Sequence, residues 1–234
     1  MIERALSRVH HHLVQRRLSS AARQVRRERL TYLVPVKLLQ VERAIRAAQR
    51  AGVPGDFLEC GVALGGSAVL LARGASAQGR CFDGYDVFGM IPPPTDKDPP
   101  EVHERYQTIV SGQSRGIEGD KYYGYRPDLY EHVARTLDRF GAPVGPRVRL
   151  HKGLFDETLH PSGPVALAHV DCDWYEPVKL CLERIYPHLA VGGRLIVDDY
   201  YDWGGARDAT NELLGAHGDL TVETRRAHLI VHRG

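Results

Sequence analysis

The chain has 234 residues, of which 43% are hydrophobic, and a formal net charge of +2. This length is enough for one well-cored α/β domain with extensions, and the nearly balanced charge does not indicate a polyanion as partner of the whole molecule. The four cysteines form no Cys-x-x-Cys pair, no apolar run approaches about 18 residues, and the amino terminus lacks the apolar core of a signal peptide. We therefore expect a cytoplasmic protein without a membrane span.

The positive charge is concentrated at the amino terminus, where residues 1–30 contain eight arginines against Glu3 and Glu28. Apolar residues recur there at roughly helical spacing, at Leu6, Val9 and Leu13. One interpretation is an arm that binds nucleic acid or anionic lipid, and the other is an amphipathic helix packed on its own domain or on a dimer partner. The second is favoured, because the aromatic residues expected between the basic residues of a nucleic-acid surface are missing.

Two features complete this region. The histidines at positions 10–12 are interpreted as a solvated stretch, since adjacent positions on a helix point in different directions. A helix is predicted over Val36–Arg50, ended by Gly52 and Pro54-Gly55. We assign residues 1–50 to a basic helical arm and packing helix, and residues 51–234 to one catalytic domain.

Residues 56–67 predict a short strand, a glycine turn and the start of a helix. The spacing of Gly61, Gly65 and Gly66 does not fit Gly-x-Gly-x-x-Gly, and no Walker lysine follows, so a nicotinamide or phosphate site is disfavoured. Glu59 at the end of the strand would repel a pyrophosphate, whereas it would attract the amino group and sulfonium of S-adenosylmethionine. The turn and Glu59 together point to that cofactor.

A second strand is predicted over Arg80–Tyr85 and ends at Asp86. An acid at the end of the second strand is placed to accept hydrogen bonds from ribose hydroxyls. Asp83 is the competing candidate, and either residue could instead form a turn beside a glycine.

The least regular segment runs from Met90 to Arg126 and is rich in proline, glycine and tyrosine. A long loop inside a compact domain is usually functional or disordered. Its aromatic residues and mixed charge favour a lid over residues 90–126 that closes on the substrate, although tyrosines packed on a surface loop are a common alternative.

The remaining elements follow the same rules of periodicity and punctuation. We predict a helix over Pro127–Phe140, a strand over Val148–Lys152, a turn containing Asp156, a helix over Gly204–Ala216, and a closing hairpin of Leu220–Thr224 and His228–His232.

Residues 165–203 predict a strand–helix–strand unit. Two short apolar runs each end in carboxylates, and the segment between them opens with Pro177 and closes at Gly192-Gly193, which is the punctuation of a helix. A right-handed crossover makes two such strands parallel in one sheet. The residues that follow both strands then emerge at the same edge, where ligands bind in open α/β sheets.

The acids at this edge are Asp171 after the first strand, and Asp198 and Asp199 after the second. Three clustered carboxylates repel one another unless a positive charge lies between them, and oxygen ligands suit a hard cation such as Mg2+, Mn2+ or Ca2+. The alternative is structural: Asp198 and Asp199 would cap a loop, and Asp171 or Asp173 would cap the helix.

Taken together, these motifs resemble the macrocin O-methyltransferase family of metal-dependent sugar O-methyltransferases. The matching stretches are Gly55-Asp-Phe-Leu-Glu-Cys-Gly-Val, Gly65-Gly-Ser, Asp86-Val-Phe, Lys152-Gly-Leu-Phe-Asp-Glu-Thr-Leu, Val170-Asp-Cys-Asp-Trp-Tyr-Glu-Pro, Tyr186-Pro-His-Leu, Gly192-Gly and Asp198-Asp-Tyr. They occur in the family's order over residues 55–214.

The resemblance implies a Rossmann-like class I methyltransferase fold, an α/β fold with a seven-stranded, mostly parallel sheet and an antiparallel last strand. It implies S-adenosylmethionine and Mg2+ (or Mn2+) as cofactors, a small-molecule or oligosaccharide acceptor, and a homodimer. Asp171, Asp198 and Asp199 resemble the metal ligands. The expected cofactor contacts are Glu59, Gly61, Gly65, Ser67, Asp86 and Asp156.

The expected reaction is methylation of a sugar hydroxyl whose proton is removed by a nearby base. The candidate bases are Asp173, His169 and Asp171. Asp173 ranks above His169, because strand alternation points His169 to the same side as Asp171 but deeper, whereas Asp173 lies on the loop.

Three rival functions remain. A catechol-like acceptor would use the same metal geometry. A nucleic-acid methyltransferase ranks low, because an Asn/Asp-Pro-Pro-aromatic motif does not follow the fourth strand. A non-catalytic cofactor-binding protein would have no evident use for three clustered carboxylates.

Overall fold

The computed structural model describes residues 14–234, and the predictions for Leu6, Val9, Leu13 and the histidines at 10–12 lie outside these residues. The helices are α1 (Ser20–Arg27), α2 (Pro35–Arg50), α3 (Gly66–Ser76), α4 (Pro100–Val110), α5 (Leu129–Arg139), α6 (Phe155–Thr158), α7 (Tyr175–Ile185) and α8 (Gly204–Ala216). The strands are β1 (Asp56–Cys60), β2 (Phe82–Asp86), β3 (Val148–Lys152), β4 (Val165–Val170), β5 (Leu189–Val197), β6 (Leu220–Arg226) and β7 (His228–Arg233).

The strands form one seven-stranded sheet in the order β3-β2-β1-β4-β5-β7-β6. The first five strands of that order pair in parallel, and β7 pairs antiparallel with both β5 and β6. This confirms the predicted mostly parallel sheet with an antiparallel last strand. The chain order reverses beside β1 and β4, which places a ligand-binding crevice at their carboxyl ends.

Two apolar layers cover the sheet. One face packs against α1, α2, α3 and α5, and the other packs against α7 and α8. Helix α3 carries buried side chains around most of its circumference, which explains its apolar sequence. Within residues 14–234, the helices all lack the length and apolar character needed to span a bilayer.

The described part of the basic arm packs on this domain. Ser19 caps α1 by accepting a hydrogen bond from Ala22 N at 3.1 Å. Val25 is fully buried, and the arginines of the last helical turn, Arg26 and Arg27, lie at the carboxyl end, where positive charge is favourable.

The predicted end of the crossover helix is wrong. Helix α7 ends at Ile185, and a short 3-10 turn over Tyr186–His188 follows it, because Pro187 lacks the N–H that a continuing helix needs. The pair Gly192-Gly193 lies inside β5 instead. Gly192 has φ 82° and lies where the pairing of β5 with β4 shifts register, so the glycines serve a strand irregularity.

The lid region is more regular than its composition suggests. It contains α4, for which Pro100 supplies a favourable first residue, and two 3-10 turns over Ile117–Gly119 and Tyr123–Tyr125. It is fastened to the start of α7, where Asp98 Oδ1 accepts a hydrogen bond from Tyr175 N at 2.8 Å and Trp174 Nε1 donates to Pro92 O at 3.1 Å.

Candidate active site

Two adjoining cavities open at the carboxyl ends of the parallel strands. The larger has a volume of about 450 Å³ and the smaller about 330 Å³. Both are lined by Gly61, Asp86, Tyr123, Asp171, Asp173 and Trp174. Because they share these walls, they form one elongated cleft with room for two ligands side by side.

The glycine turn between β1 and α3 forms the floor of the cleft. Gly61 has φ 90°, and a Cβ added there would lie 1.7 Å from Asp171 O, so only glycine allows β1 and β4 to end this close together. Gly65 has φ 87° and precedes α3, whose first turn places Ser67 on the cavity wall. The turn therefore has the backbone shape that the sequence predicted.

Asp86 braces this turn from β2. Its Oδ2 accepts hydrogen bonds from Val62 N at 2.8 Å and Ala63 N at 2.9 Å, and its Oδ1 accepts one from Phe88 N at 2.6 Å. Burial raises its pKa even though these backbone hydrogen bonds lower it. The competing candidate, Asp83, is engaged elsewhere by Arg149.

Asp156 lies at the rim of the smaller cavity, on the short helix α6. The neighbouring wall is apolar and is built by Val87, Ile91, Leu154 and Phe155. An apolar slot with a carboxylate at its rim suits a flat heterocycle that carries an amino group.

Glu59 and His169 are fully buried beneath the cleft. His169 Nδ1 lies 2.8 Å from Glu59 Oε1, and the described residues that line the two cavities do not include either side chain. Glu59 Oε2 and His169 Nε2 have no hydrogen-bond partner among the described residues. The structure thus brings both residues close to the site but places them below its surface.

The three carboxylates predicted at the sheet edge converge. Asp171, Asp198 and Asp199 each offer an oxygen within 4.8 Å of the other two, and all three line the larger cavity. Burial, and then the charges of the neighbouring carboxylates, raise the pKa of Asp171 and of Asp199 well above the usual range. This set of oxygen donors fits a hard divalent cation.

Asp198 is the member of the cluster that has two basic side chains as partners, of which Lys37 carries the positive charge, because burial lowers the pKa of His228 to about 4. Its Oδ2 accepts a hydrogen bond from Lys37 Nζ at 2.9 Å, and its Oδ1 pairs with His228 Nε2. Burial would raise the pKa of Asp198, but His228 and Lys37 bring it down to about 2. Asp198 is thereby held in one orientation and in its ionised form.

Asp173 lies on the loop between β4 and α7, with φ 62°. Its backbone N donates to Asp199 Oδ2 at 3.0 Å, and its Oδ1 accepts a hydrogen bond from Trp203 Nε1 at 3.1 Å. Burial raises the pKa of Asp173 to about 6. The side chain is thus fixed beside the carboxylate cluster and faces both cavities.

The outer wall of the larger cavity is aromatic and comes from two segments of the chain, residues 30–34 and the middle segment with Tyr122 and Tyr123. Tyr122 and Tyr123 of the lid face residues 30–34, and the ring of Tyr32 contacts that of Tyr123 edge-on at 6.0 Å. Arg105 on α4 also lines this wall. Tyr125, by contrast, donates its hydroxyl to Ile109 O and holds the lid together.

Sequence reasoning missed several residues of the site that come from distant segments, either on the cavity wall or, as with His228, buried behind it. Lys37 belongs to a helix assigned only to packing, and His228 belongs to the closing hairpin. The one sequence signal for Lys37 is a charged residue directly before the buried pair Leu38-Leu39. No comparable sequence pattern marks Arg105 or Tyr32 as a residue of the site.

The chain is similar in sequence to a family of methyltransferases and to several characterised members of such families. The profile of the family described as Macrocin-O-methyltransferase (TylF) matches residues 5–222. The chain is 33% identical over 174 residues to the 8-demethyl-8-(2,3-dimethoxy-alpha-L-rhamnosyl)-tetracenomycin-C 4'-O-methyltransferase of Streptomyces olivaceus, covering 71% of this chain and 60% of that protein. It is 32% identical over 203 residues to the mycinamicin III 3''-O-methyltransferase of Micromonospora griseorubida, covering 81% of this chain and 73% of that protein. The first match thus spans less than two thirds of that relative's length.

Solved structures show the same fold. The O-methyltransferase NovP superposes with a TM-score of 0.70 at 24% identity, covering 87% of this chain and 81% of that one. The Podospora anserina methyltransferase PaMTH1, solved with S-adenosylhomocysteine (SAH) bound, gives a TM-score of 0.61 at 16% identity, covering 100% and 97%. The sheet and its crevice are therefore those of a Rossmann-like methyltransferase.

Proposed function

Because the chain belongs to the macrocin-O-methyltransferase family, we propose that it methylates a sugar hydroxyl of a glycosylated natural product or oligosaccharide. The methyl donor is S-adenosylmethionine, and a divalent cation, Mg2+ or Mn2+, is held by Asp171, Asp198 and Asp199. The observation that carries this proposal is the convergence of three carboxylates, two of them buried and that of Asp171 half-buried, with oxygens within 4.8 Å of one another, on a cavity wall. We keep the homodimer as a prediction.

The smaller cavity supports the position of the methyl donor. Its apolar slot suits the adenine ring, with Asp156 at the rim, and Asp86 lies between that slot and the glycine turn, where a ribose would sit. Gly61 and Ser67 continue the path toward the carboxylates. Glu59 lies beneath this path, fully buried against His169, and its contact with the donor stays a prediction.

The larger cavity supports a sugar as the acceptor. Aromatic rings line it opposite the carboxylates. Such rings pack against the apolar face of a sugar, while carboxylates accept hydrogen bonds from its hydroxyl groups. The names of the two relatives describe methylation of a rhamnosyl group on tetracenomycin and of mycinamicin III. A glycosylated small molecule is therefore the first acceptor class to test.

The chain's residues have separate parts in the reaction. When bound, the cation supplies positive charge that lowers the pKa of a neighbouring hydroxyl, and S-adenosylmethionine supplies the methyl group. Asp173 accepts the proton of the acceptor hydroxyl, because it lines both cavities and is held by Trp203 and Asp199. We prefer Asp173 to His169 as the base, because His169 is buried beneath the cleft against Glu59. Trp174 and the lid tyrosines exclude water from the cleft.

The test is transfer of a radiolabelled methyl group to a panel of glycosides with neighbouring hydroxyls, in Mg2+, in Mn2+ and in chelator. We expect metal-dependent transfer that falls at least about 100-fold in Asp198→Asn. The matched control is Asp83→Asn, the same chemical change at a buried carboxylate of the same sheet, which should retain activity. Transfer that is unaffected by chelator and by Asp198→Asn, or transfer to RNA alone, would contradict the proposal.

A further inference from the structure

Lys37 is a cation that the chain itself places in the carboxylate cluster. Its ammonium lies 2.9 Å from Asp198 Oδ2 and 2.8 Å from Asp202 Oδ2, and its side chain is 12% exposed. The residue lines the larger cavity together with both partners. Lys37 therefore holds one of the two carboxylate oxygens of a residue that belongs to the proposed cation site.

The hydrogen bonds of Lys37 are all directed at the protein. An ammonium has three donors, and the third reaches Asp198 O at 3.3 Å. With its donors used in this way, Lys37 is not arranged to bind an acceptor hydroxyl in this state. Its visible role is to neutralise and hold carboxylates.

This neutralisation is unequal across the cluster. Asp198 receives both Lys37 and His228, whereas Asp199 receives a backbone hydrogen bond from Asp173, and the described residues donate no hydrogen bond to the Asp171 carboxylate. Asp198 is therefore the one ligand of the cluster that a tethered positive charge already satisfies. A divalent cation that uses Asp198 must share it with Lys37 or displace it, and two positive charges at one carboxylate repel each other.

Helix α2 reaches the cluster through a second contact as well. Gln40 Oε1, about one turn after Lys37, accepts a hydrogen bond from His228 N at 3.3 Å, and His228 holds the other oxygen of Asp198. Helix α2 also directly follows residues 30–34, which line the larger cavity. A movement of α2 on release of Lys37 would therefore also move the residues that line the larger cavity.

We infer that Lys37 is an intramolecular competitor of the divalent cation: it holds Asp198 and Asp202 together in the metal-free protein and weakens metal binding at the cluster. The inference rests on the proposed function, because it needs a metal at Asp171, Asp198 and Asp199. In metal-free protein the Lys37 ammonium offsets the repulsion among the acids. A cation that takes Asp198 Oδ2 as a ligand must therefore displace the ammonium from that oxygen.

The test is the affinity of metal-free protein for Mn2+, measured by the electron paramagnetic resonance of free Mn2+ without donor or acceptor. Lys37→Met keeps the length of the side chain and removes its charge, and we expect it to bind Mn2+ about tenfold more tightly than wild type. Lys37→Arg keeps the charge and should stay within about threefold of wild type. Lys179→Met removes one positive charge from the surface pair with Glu212 and should leave the affinity unchanged, which controls for net charge.

Thermal stability distinguishes competition between Lys37 and the cation from a purely structural role of Lys37 in holding α2 against the domain. Metal-free Lys37→Met should unfold at a lower temperature than wild type, and saturating Mn2+ should restore more stability to the variant than to wild type. If Lys37→Met does not fold, Lys37→Gln replaces it, since the amide still donates a hydrogen bond but carries no charge.

The outcomes are distinct. Equal or weaker Mn2+ binding by Lys37→Met, with Mn2+ bound by wild type, overturns the inference and leaves the proposed function standing. If neither protein binds Mn2+ at the cluster, the proposed metal site fails and the inference fails with it. Tighter binding by Lys37→Met and unchanged binding by Lys179→Met support it.

Discussion

Acidic side chains at two places in one sheet have opposite surroundings. Near the start of β2, Asp83 receives two hydrogen bonds from Arg149, at 2.7 and 2.6 Å, and lies 2.7 Å from His151 Nε2. At the ends of β4 and β5, Asp171 and Asp199 face each other without a basic partner of this kind among the described residues. The chain therefore pairs the Asp83 carboxylate with basic side chains and leaves the carboxylates of Asp171 and Asp199 without such partners.

The pKa values of these acids move accordingly. Burial would raise the pKa of Asp83, but hydrogen bonds from His151 and Arg149 hold it below the ordinary value. Burial and mutual repulsion raise the pKa of Asp171 and Asp199 instead. A satisfied acid contributes to stability, whereas clustered acids without partners oppose folding and are retained for what they bind.

The largest expected difference is in catalysis, between Asp83 and Asp173, the acid that lies beside the carboxylate cluster. Asp173→Asn should lower kcat by about 100-fold or more, because the amide cannot accept the proton of the acceptor, while the affinities for Mn2+ and S-adenosylmethionine change little. Asp83→Asn should leave kcat within about twofold. Steady-state kinetics and titration of both ligands measure this, and full turnover by Asp173→Asn would remove that residue from the proton transfer.

The next difference is in stability, and its sign reverses between Asp199 and Asp83. In metal-free protein, Asp199→Asn should preserve or raise the free energy of unfolding, since it removes repulsion among the carboxylates. Asp83→Asn should lower it by about 2 kcal/mol, because Arg149 and His151 lose their charged partner. Urea denaturation of both variants measures these free energies of unfolding. An equal decrease in both variants would show that the carboxylate cluster stabilises the fold as an ordinary hydrogen-bonded network does.

The smallest expected effect is in the response to acid. Because the pKa of Asp83 is lower in the folded protein than in the unfolded chain, its contribution to stability is present above the unfolded value of about 4 and is lost as pH falls through the folded one. Wild type should therefore lose stability more steeply than Asp83→Asn as the pH falls below about 4. Parallel pH profiles of the free energy of unfolding would contradict the assignment of Asp83 as a satisfied acid.

The sequence is informative where function follows from local order. An acid directly after an apolar strand must lie at the edge of the sheet, so the order of strands and acids along the chain is enough to bring Asp171, Asp198 and Asp199 together. The same reasoning places the glycine turn and the closing hairpin. These features depend on strand order and on periodicity, which the chain encodes locally.

The sequence is uninformative where partners are distant. Lys37 lies 161 positions before Asp198, and His228 reaches it from another strand, so neither pairing leaves a local pattern. Composition is also misleading at two places. The prolines before α4 suggest an irregular lid although Pro100 begins a helix, and Gly192-Gly193 resembles a helix end although Pro187 has already ended α7.

The most direct test of the central claim is anomalous diffraction at the manganese edge from crystals grown with Mn2+ and S-adenosylhomocysteine. We expect an anomalous peak bounded by the carboxylates of Asp171, Asp198 and Asp199, which disappears in Asp171→Asn crystals and persists in Asp83→Asn crystals. A carboxylate cluster without an anomalous peak, in crystals of an enzyme that methylates its acceptor equally well in chelator, would show that these acids do not form a metal site.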